Sequence, residues 1–340
     1  MILTAVEPKF WLFIETLQKQ PDDRLLHYLE DMDMEVFKRK REYNKEVLTI
    51  LGHDFVLCDD LDKKYFKYTQ QDIKRGIQKQ YFWKMHRVLN IKNPRLFTEK
   101  IQWLKLYDCT PIKTMLADKL LVREWVKEKI GSKYLKKIYG TYNSFDEIDF
   151  SSLPKEYVIK ANHGCNMQLL VIEGGKPDMI KDARRFDRFL HTNHAYKSRF
   201  ELHYKDIKPK LFTEEYLKNT NELFEYLFFC FNGEPEFVLF ASGKRSDRIE
   251  CTMFDKNWKN CHFNYGEKLH REEIPKPENF DEMLSIARKL SADFKFVRVD
   301  LHNINGRIYF GEMTFTPAGG FMKFNPRKYD RILGDMLNLN

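Results

Sequence analysis

The spacing of apolar and polar positions changes part-way along the chain. Residues 1 to about 92 are rich in Lys, Glu, Phe and Leu and poor in Gly and Pro, and segments such as RLLHYLEDMDMEVFKRKREYNKEVLTIL have helical spacing. Residues 94–130 contain two amphipathic helix patterns, and the second ends at Gly131, a residue suited to a helix C-terminus. The front of the chain is therefore predicted to be helical.

Short β-type runs begin at about residue 156. The runs EYVIK (156–160) and QLLVI (168–172) flank the polar loop ANHGCNM and predict a hairpin. A basic helical stretch to about 206, a strand at 210–217, and two β-rich stretches at 224–242 and 295–316 follow, with the helix NFDEMLSIARKL before the last stretch. This order predicts an α+β fold with a mixed sheet behind a helical front. The expected segments are 1–92, 93–150, 151–217 and 218–340.

Composition and charge exclude several classes of protein. The chain has 58 Lys and Arg against 50 Asp and Glu, a net charge of +8, and its 43% hydrophobic residues are enough for a folded core. The basic block 38–41 is balanced by acidic residues before it, which argues against a nucleic-acid partner. No uncharged apolar run is long enough to span a membrane, so we expect a cytoplasmic protein, for which peripheral membrane association stays open.

Cysteine and histidine spacing gives no sign of a zinc site. The six cysteines form no CxxC pair, and the ten histidines form no HExxH pattern. Candidate chemistry must therefore be sought among charged residues on strands.

The first candidate feature is Lys160, at the end of the run YVIK. It leads into a loop that contains Asn162, His163 and Gly164. An ammonium beside a glycine loop with backbone donors can cradle a phosphate. A lysine before a polar turn is more often a solvated strand end, and this alternative stays open.

The second feature is the segment FVRVDLHNINGRIYFGEMTFTPAGG (296–320). The period of two in a strand places the apolar residues of VRVDL on one face and Arg298 with Asp300 on the other. A strict two-residue turn at 305–306 would put Glu312 on the wrong face, so we expect an odd-length loop or a bulge that brings these three residues together. Two adjacent carboxylates suit Mg²⁺. The alternative is a surface hairpin in which Arg298 bridges two acids.

The third feature is TEEYLKNTNE (213–222). An extended strand that ends in acidic residues can present backbone groups to an adenine edge and a carboxylate to a ribose. Alone, this segment cannot be distinguished from an ordinary strand end.

Together, these features follow the order of nucleotide-site residues in the ATP-grasp fold: a strand Lys, a Glu-containing hinge, an Arg-x-Asp strand and a later Glu strand before a Pro-Gly loop. Five segments in order resemble the TupA-like branch of that fold, which is named for teichuronopeptide synthesis. They are NPRLFTEKIQWLKLYD, ADKLLVREWVKEKIG, LPKEYVIKANHG, FFCFNGEPEF and VRVDLHNINGRIYFGEMTFTPAGG. The resemblance covers about residues 90–337 and implies two α+β subdomains that grip ATP.

The resemblance also implies a role for individual residues. The residues implied to contact ATP are Lys119 on the front helix, Lys160, His163, Gly164, Glu214, Tyr216, Leu217 and Glu222. The implied Mg²⁺ ligands are Asp300, Glu312 and Thr314, the last standing where many ATP-grasp enzymes have Asn. Arg298 and Lys160 are the implied catalytic residues. Leu227 stands where the branch often has a lysine.

The activity implied by the resemblance is ATP-dependent ligation of a carboxylate to an amine through an acyl phosphate. The implied substrates are an amine and a small or nucleotide-linked carboxylate sugar, or an amino acid, of a bacterial capsule or surface polysaccharide. Basic residues that could hold an anionic substrate are Arg199, Lys244 and Arg245. Two alternatives remain open: a kinase acting on a sugar hydroxyl, and a non-catalytic module that binds acidic polysaccharide.

Overall fold

The structure is a computed structural model that describes residues 37–42, 45–50, 53–58, 68–197, 199–217, 224–242, 250–265 and 273–339. The chain divides into two compact units, 1–69 and 70–340. No helix in the described ranges is both long and apolar enough to cross a bilayer.

The described part of the first unit is a three-stranded antiparallel sheet. Its strands β1 (Phe37–Glu42), β2 (Lys45–Ile50) and β3 (His53–Cys58) pair in chain order. The prediction of helices through residues 1–92 is therefore wrong over these strands. Frequent Lys and Glu favoured the helical interpretation, whereas the β-branched and aromatic residues of KEVLTI and HDFVLC prefer strands. Residues 1–36 of the predicted helical region lie outside the described residues.

The second unit has eight α-helices within its described part. They are α1 (Gln70–Met85), α2 (Phe97–Tyr107), α3 (Pro111–Ala117), α4 (Val122–Ile130), α5 (Lys181–Leu190), α6 (His194–Lys197), α7 (Phe280–Ser291) and α8 (Lys328–Met336). Short 3-10 helices occur at Ser132–Tyr134, Phe150–Ser152 and Leu202–Tyr204. The two helices predicted within 94–130 are three, because Pro111 lacks a backbone N–H and opens a new helix at its first position.

One sheet of the second unit has four antiparallel strands. They are β4 (Ile138–Tyr142), β5 (Tyr157–Ala161), β6 (Gln168–Val171) and β7 (Leu211–Glu215), in the order β4-β7-β5-β6. The predicted hairpin of β5 and β6 is confirmed. The fully buried Ile159, Phe186 and Leu211 join α5 to this sheet.

The other sheet of the second unit has five strands. They are β8 (Glu225–Phe231), β9 (Glu234–Ser242), β10 (Glu250–Asp255), β11 (Phe296–Ile304) and β12 (Arg307–Thr314), in the order β10-β9-β8-β11-β12. All neighbours are antiparallel, so the expected mixed sheet is two antiparallel sheets. One face packs on α7 through Phe228 and Phe280, and the other packs on α2 through Phe97 and Phe296.

The β11–β12 hairpin has a two-residue turn and a bulge. Asn305 and Gly306 both have positive φ, 51° and 80°, as a type I′ turn requires. The pairing shifts between Asp300 and Leu301, so Gly311 has no cross-strand partner and Asp300 faces Glu312. The expected bulge is therefore confirmed. It places both carboxylates on the same face of the sheet.

Candidate active site

The hairpin brings four polar side chains into one cluster. The Arg298 guanidinium donates two hydrogen bonds to Asp300, from Nε to Oδ1 (2.7 Å) and from Nη2 to Oδ2 (2.6 Å). The Thr314 hydroxyl donates to Glu312 Oε1 (2.9 Å), which lies 3.9 Å from Arg298 Nη2. The side chains of Arg298 and Asp300 are only 14% and 10% exposed. This burial argues against the alternative of a solvated surface hairpin.

Burial and pairing set the charge states of this cluster in opposite directions. Burial raises the pKa of Asp300 to about 6, although the adjacent Arg298 acts to lower it. Burial alone would lower the pKa of Arg298, but the Asp300 carboxylate outweighs it and the pKa is raised. Arg298 therefore stays cationic throughout the physiological range.

A second cluster joins β4, β5 and β7. Lys160 Nζ lies 2.6 Å from Glu214 Oε1, and Lys136 Nζ lies 3.7 Å from the same oxygen. Burial opposes ionisation of Glu214, but Lys136 and Lys160 outweigh it and lower its pKa. Burial lowers the pKa of Lys136, against the attraction of Glu214. One carboxylate is therefore shared between two lysines.

Lys136 is the residue that the sequence analysis missed. It lies two residues before β4, and its carbonyl oxygen accepts a hydrogen bond from Arg123 Nη2 (2.8 Å). The available signal was the pair Lys136–Lys137 before the apolar run IYGTY, since a charge at a buried strand end requires compensation.

Lys119 links the hairpin cluster to the loop that follows β5. It lies in the turn between α3 and α4, so the prediction that it lies on a helix is wrong. Asp118 stabilises this turn because its Oδ1 accepts the backbone N–H of Leu120 (2.8 Å). Lys119 Nζ donates to the Gly164 carbonyl (2.6 Å) and lies 4.0 Å from Glu312 Oε2. One ammonium thus lies between the β5–β6 loop and the carboxylates of the hairpin.

His163 and Gly164 contribute to the β5–β6 loop in different ways. His163 is buried; its Nε2 donates to the Phe189 carbonyl (2.8 Å), and its Nδ1 lies 3.3 Å from Asn162 Oδ1. Burial lowers its pKa, so the ring is neutral. Its contacts attach the loop to the end of α5. A Cβ at Gly164 would lie 2.8 Å from His194 Nδ1, so this close approach requires glycine.

The remaining predicted residues lie at the edges of this region or outside the described ranges. Tyr216 and Leu217 directly follow β7, and Leu217 packs with Ile304 and Tyr309. Arg199 lies against the loop after β12, because a Cβ at Gly319 would approach Arg199 Cδ to 2.3 Å. The predicted residues outside the described ranges are Glu222, Lys244 and Arg245.

A sequence comparison identifies the family. The profile described as TupA-like ATPgrasp matches residues 99–338, more than half of the chain. The chain belongs to the TupA-like ATPgrasp family. The predicted resemblance and the α+β ATP-grasp fold are thus confirmed. The comparison with curated proteins finds no match.

Solved structures similar to this TupA-like ATPgrasp chain include three described as ligases. D-alanine–D-alanine ligase from Bacillus anthracis complexed with ATP is 15% identical, with 66% of this chain and 63% of that chain covered and a TM-score of 0.36. The Helicobacter pylori enzyme of that name is 12% identical, with 94% and 85% covered and a TM-score of 0.40. L-amino acid ligase from Bacillus licheniformis is 12% identical, with 81% and 63% covered and a TM-score of 0.40.

These likenesses carry no statement about substrate or activity. The TupA-like ATPgrasp chain spans 63% and 66% of the length of two Bacillus anthracis structures that it matches.

The donor atoms of the TupA-like ATPgrasp hairpin fit Mg²⁺ with a phosphate ligand. Asp300 and Glu312 supply carboxylate oxygens on one face, and Thr314 supplies a hydroxyl beside them. Within the described ranges, no group of three or more His, Cys, Asp or Glu could hold a metal ion. Mg²⁺ is commonly bound by one or two carboxylates with waters and substrate phosphates, rather than by a complete protein cage.

Proposed function

We propose that this chain is an ATP-dependent carboxylate–amine ligase. The observation that carries the proposal is the connection between the hairpin cluster and the β5–β6 loop: Lys119 donates to the Gly164 carbonyl of the loop that follows Lys160, and it lies beside Glu312. A glycine-containing loop flanked by Lys160 and Lys119, joined in this way to a pair of carboxylates, suits a magnesium-bound triphosphate with a reactive terminal phosphoryl group.

The nucleotide roles that we propose are those implied by the family resemblance, and the contacts described above support them. Lys160 and Lys119 bind phosphates, and Glu214 with the backbone of Tyr216 and Leu217 holds adenine. The 161–167 loop covers the terminal phosphate. Lys136 belongs to this part of the site, because it shares the Glu214 carboxylate with Lys160. Together the two lysines keep Glu214 ionised and in a fixed position.

The hairpin provides the other half of the site. Asp300, Glu312 and Thr314 would hold Mg²⁺, which supplies neutralisation of phosphate charge when bound. Arg298 stabilises the charge on the transferred phosphoryl group, and its bidentate hydrogen bonds to Asp300 fix its orientation.

The chemistry explains why a ligase needs this arrangement. A carboxylate does not condense with an amine in water, because oxide is a poor leaving group. Transfer of the terminal phosphoryl group to the carboxylate gives an acyl phosphate, and attack by the amine then releases phosphate. The acyl phosphate must be protected from water, which is the role we assign to the 161–167 loop.

The proposed carboxylate substrate is a uronic acid, nucleotide-linked or free, or an amino acid of a bacterial capsule or surface polysaccharide. The chain's net charge of +8 favours an anionic substrate. Arg199 supports this choice, because it lies against the loop that directly follows β12 and its metal-site residues. The proposed site of action is the cytoplasm, where ATP is available.

The test is a screen of purified protein with ATP, Mg²⁺, nucleotide-linked uronic acids, amino acids and amines. Phosphate release and mass spectrometry are measured together. A ligase gives ADP, phosphate and an amide, whereas a kinase gives ADP and a stable phosphoester. Detection of the phosphoester without an amide would overturn the ligase proposal.

Variants connect this turnover to the site. Lys160→Met and Asp300→Asn should each abolish it, whereas Lys155→Met, an exposed neighbour of β5, should leave it unchanged. Circular dichroism checks that both variants are folded. Turnover that persists in Lys160→Met and Asp300→Asn would assign the activity to another site. If the wild type does not turn over ATP and both variants still bind carbohydrate, a non-catalytic binding module would be favoured.

A further inference from the structure

Helix α1 exposes large apolar side chains on the face opposite its core contacts. Ile73, Ile77 and Tyr81 are buried at helical spacing. On the outer face, Phe82 is 47% exposed and Trp83 is 57% exposed. A helix that only covers a core carries polar residues on its outer face, so this exposed aromatic pair requires another explanation.

The exposed aromatic residues have cations beside them. Arg75, Lys79 and Trp83 follow one another at steps of four residues, so they form a single row along α1. The Phe82 and Trp83 rings touch edge to face, with centroids 5.5 Å apart. Residues 70–88 contain five Lys and Arg against the single acid Asp72.

The basic character continues beyond the end of α1. Lys84 Nζ lies 5.5 Å from the centre of the Phe321 ring, which places the two segments side by side. A hollow of about 220 Å³ follows, lined in part by Arg87, Lys323 and Arg327. The acid in this hollow, Asp330, is buried and already paired with Arg87 (2.9 Å). The exposed charged residues of this hollow, Lys323 and Arg327, are therefore not neutralised by Asp330.

We propose that this surface binds the face of an anionic lipid bilayer. We call it the α1 patch and define it as Arg75, Lys79, Phe82, Trp83 and Val88. Val88 is 81% exposed at the end of the patch. Lysine and arginine attract anionic headgroups, and Trp and Phe lie in the boundary between headgroups and acyl chains.

The charge and the ring types select this occupant over the others. An acidic polysaccharide would engage the cations and stack on a ring face, but it would leave Val88 without an apolar environment. A second copy of the chain would place cations against cations across a symmetric contact. A bilayer with anionic headgroups satisfies both the basic row and the apolar side chains. This proposal does not rest on the ligase reaction.

The test is sedimentation of the full-length protein with vesicles. One set contains equal parts of phosphatidylglycerol and phosphatidylcholine, and the other contains phosphatidylcholine alone. We expect binding to the anionic set only, weakening as salt is added. Each surface cation contributes roughly fivefold to partitioning, so Arg75→Gln should lower it by about fivefold. The matched control, Lys155→Gln, removes one exposed cation next to the β5–β6 hairpin and should have no such effect.

A second measurement reports on the apolar part of the patch. Brominated phosphatidylcholine, mixed into the anionic vesicles, quenches tryptophan that enters the acyl boundary. We expect quenching in the wild type and its loss in Trp83→Phe, which keeps an aromatic ring and the fold. Absence of binding to anionic vesicles would overturn the proposal. Binding without quenching would also overturn the proposal. It would mean that the protein is held by headgroup electrostatics alone, or that Trp83 is covered by other residues of the chain. Self-association that Trp83→Ala abolishes, without vesicle binding, would assign the patch to a second copy.

Discussion

Lys105 provides a direct test of how the loop after β12 is held. Its side chain is completely buried in α2, where Nζ donates to the Gly319 carbonyl (2.9 Å) and lies 4.8 Å from the centre of the Phe321 ring. Burial lowers its pKa from 10.5 to about 7, although Glu201 acts in the opposite direction. The loop is therefore held by an amine on α2 whose charge is costly to bury.

The sign of the effect on stability follows from proton uptake. Between about pH 7 and 10.5 the unfolded chain binds a proton on Lys105 that the folded chain does not bind. The free energy of unfolding therefore rises with pH in this window, relative to a variant without the amine. With 1.36 kcal/mol for each pKa unit, the expected gain from pH 7 to pH 9 is about 2 kcal/mol. Cys109, whose pKa burial raises to about 11, does not titrate in this range.

The assay is urea denaturation of the wild type and of Lys105→Met at several pH values, followed by tryptophan fluorescence. The quantity to compare is the difference between their free energies of unfolding. Gln102→Leu is the matched control, because Gln102 donates to the same Gly319 carbonyl and to that of Gly320 but has no proton to release. A wild-type minus Lys105→Met difference that is flat or falls between pH 7 and pH 9 would refute the reasoning.

Three further predictions concern the bulge, the nucleotide pocket and the core. Gly311→Val should destabilise the fold by about 1–3 kcal/mol in urea denaturation, because its Cβ would lie 2.8 Å from the Asp300 carbonyl oxygen; deletion of Gly311, which restores a regular ladder, should cost less. Lys136→Met should weaken ATP binding about tenfold, measured by calorimetry. The control is Lys137→Met, which changes an exposed lysine, and equal ATP affinities of the two variants would contradict the place of Lys136 in the pocket. Phe228→Ala should cost about 3–5 kcal/mol of stability, also measured in urea, since the ring is fully buried.

Features that depend on local geometry could be predicted from the sequence. Successive side chains of a strand point to opposite faces because of covalent geometry. Residues 298, 300 and 312 can therefore share one face only if the hairpin has an odd-length loop or one extra residue in a strand. The structure meets this requirement with a two-residue turn and the extra residue Gly311. The hairpin of β5 and β6 was also predictable from local sequence, because a polar loop separates two apolar runs.

Features that depend on distant partners could not be predicted in this way. Lys136 reaches Glu214 because β4 pairs with β7, whose residues are more than 70 positions away in the sequence. His163 turns inward because the end of α5 places the Phe189 carbonyl beside its ring. Neither partner is visible in the local pattern around these residues. The strands between 37 and 58 are rich in Lys and Glu, which favour helices, and their β-branched and aromatic residues prefer strands only weakly without knowledge of the strand partners.

The bulge also changes the spacing of core residues along the sequence, and this spacing can be searched for in other sequences. The core residues of β12 and the segment after it are Ile308, Phe310, Met313 and Phe315, so their spacing is two, three and two. The single interval of three marks the bulge. Before it, the odd-numbered residues face away from the core, and after it, the even-numbered residues face away from the core. In a related chain with the same turn, the acidic residue just before the first core position after that interval is the counterpart of Glu312. It can be recognised by counting even where no residue of the strand is shared.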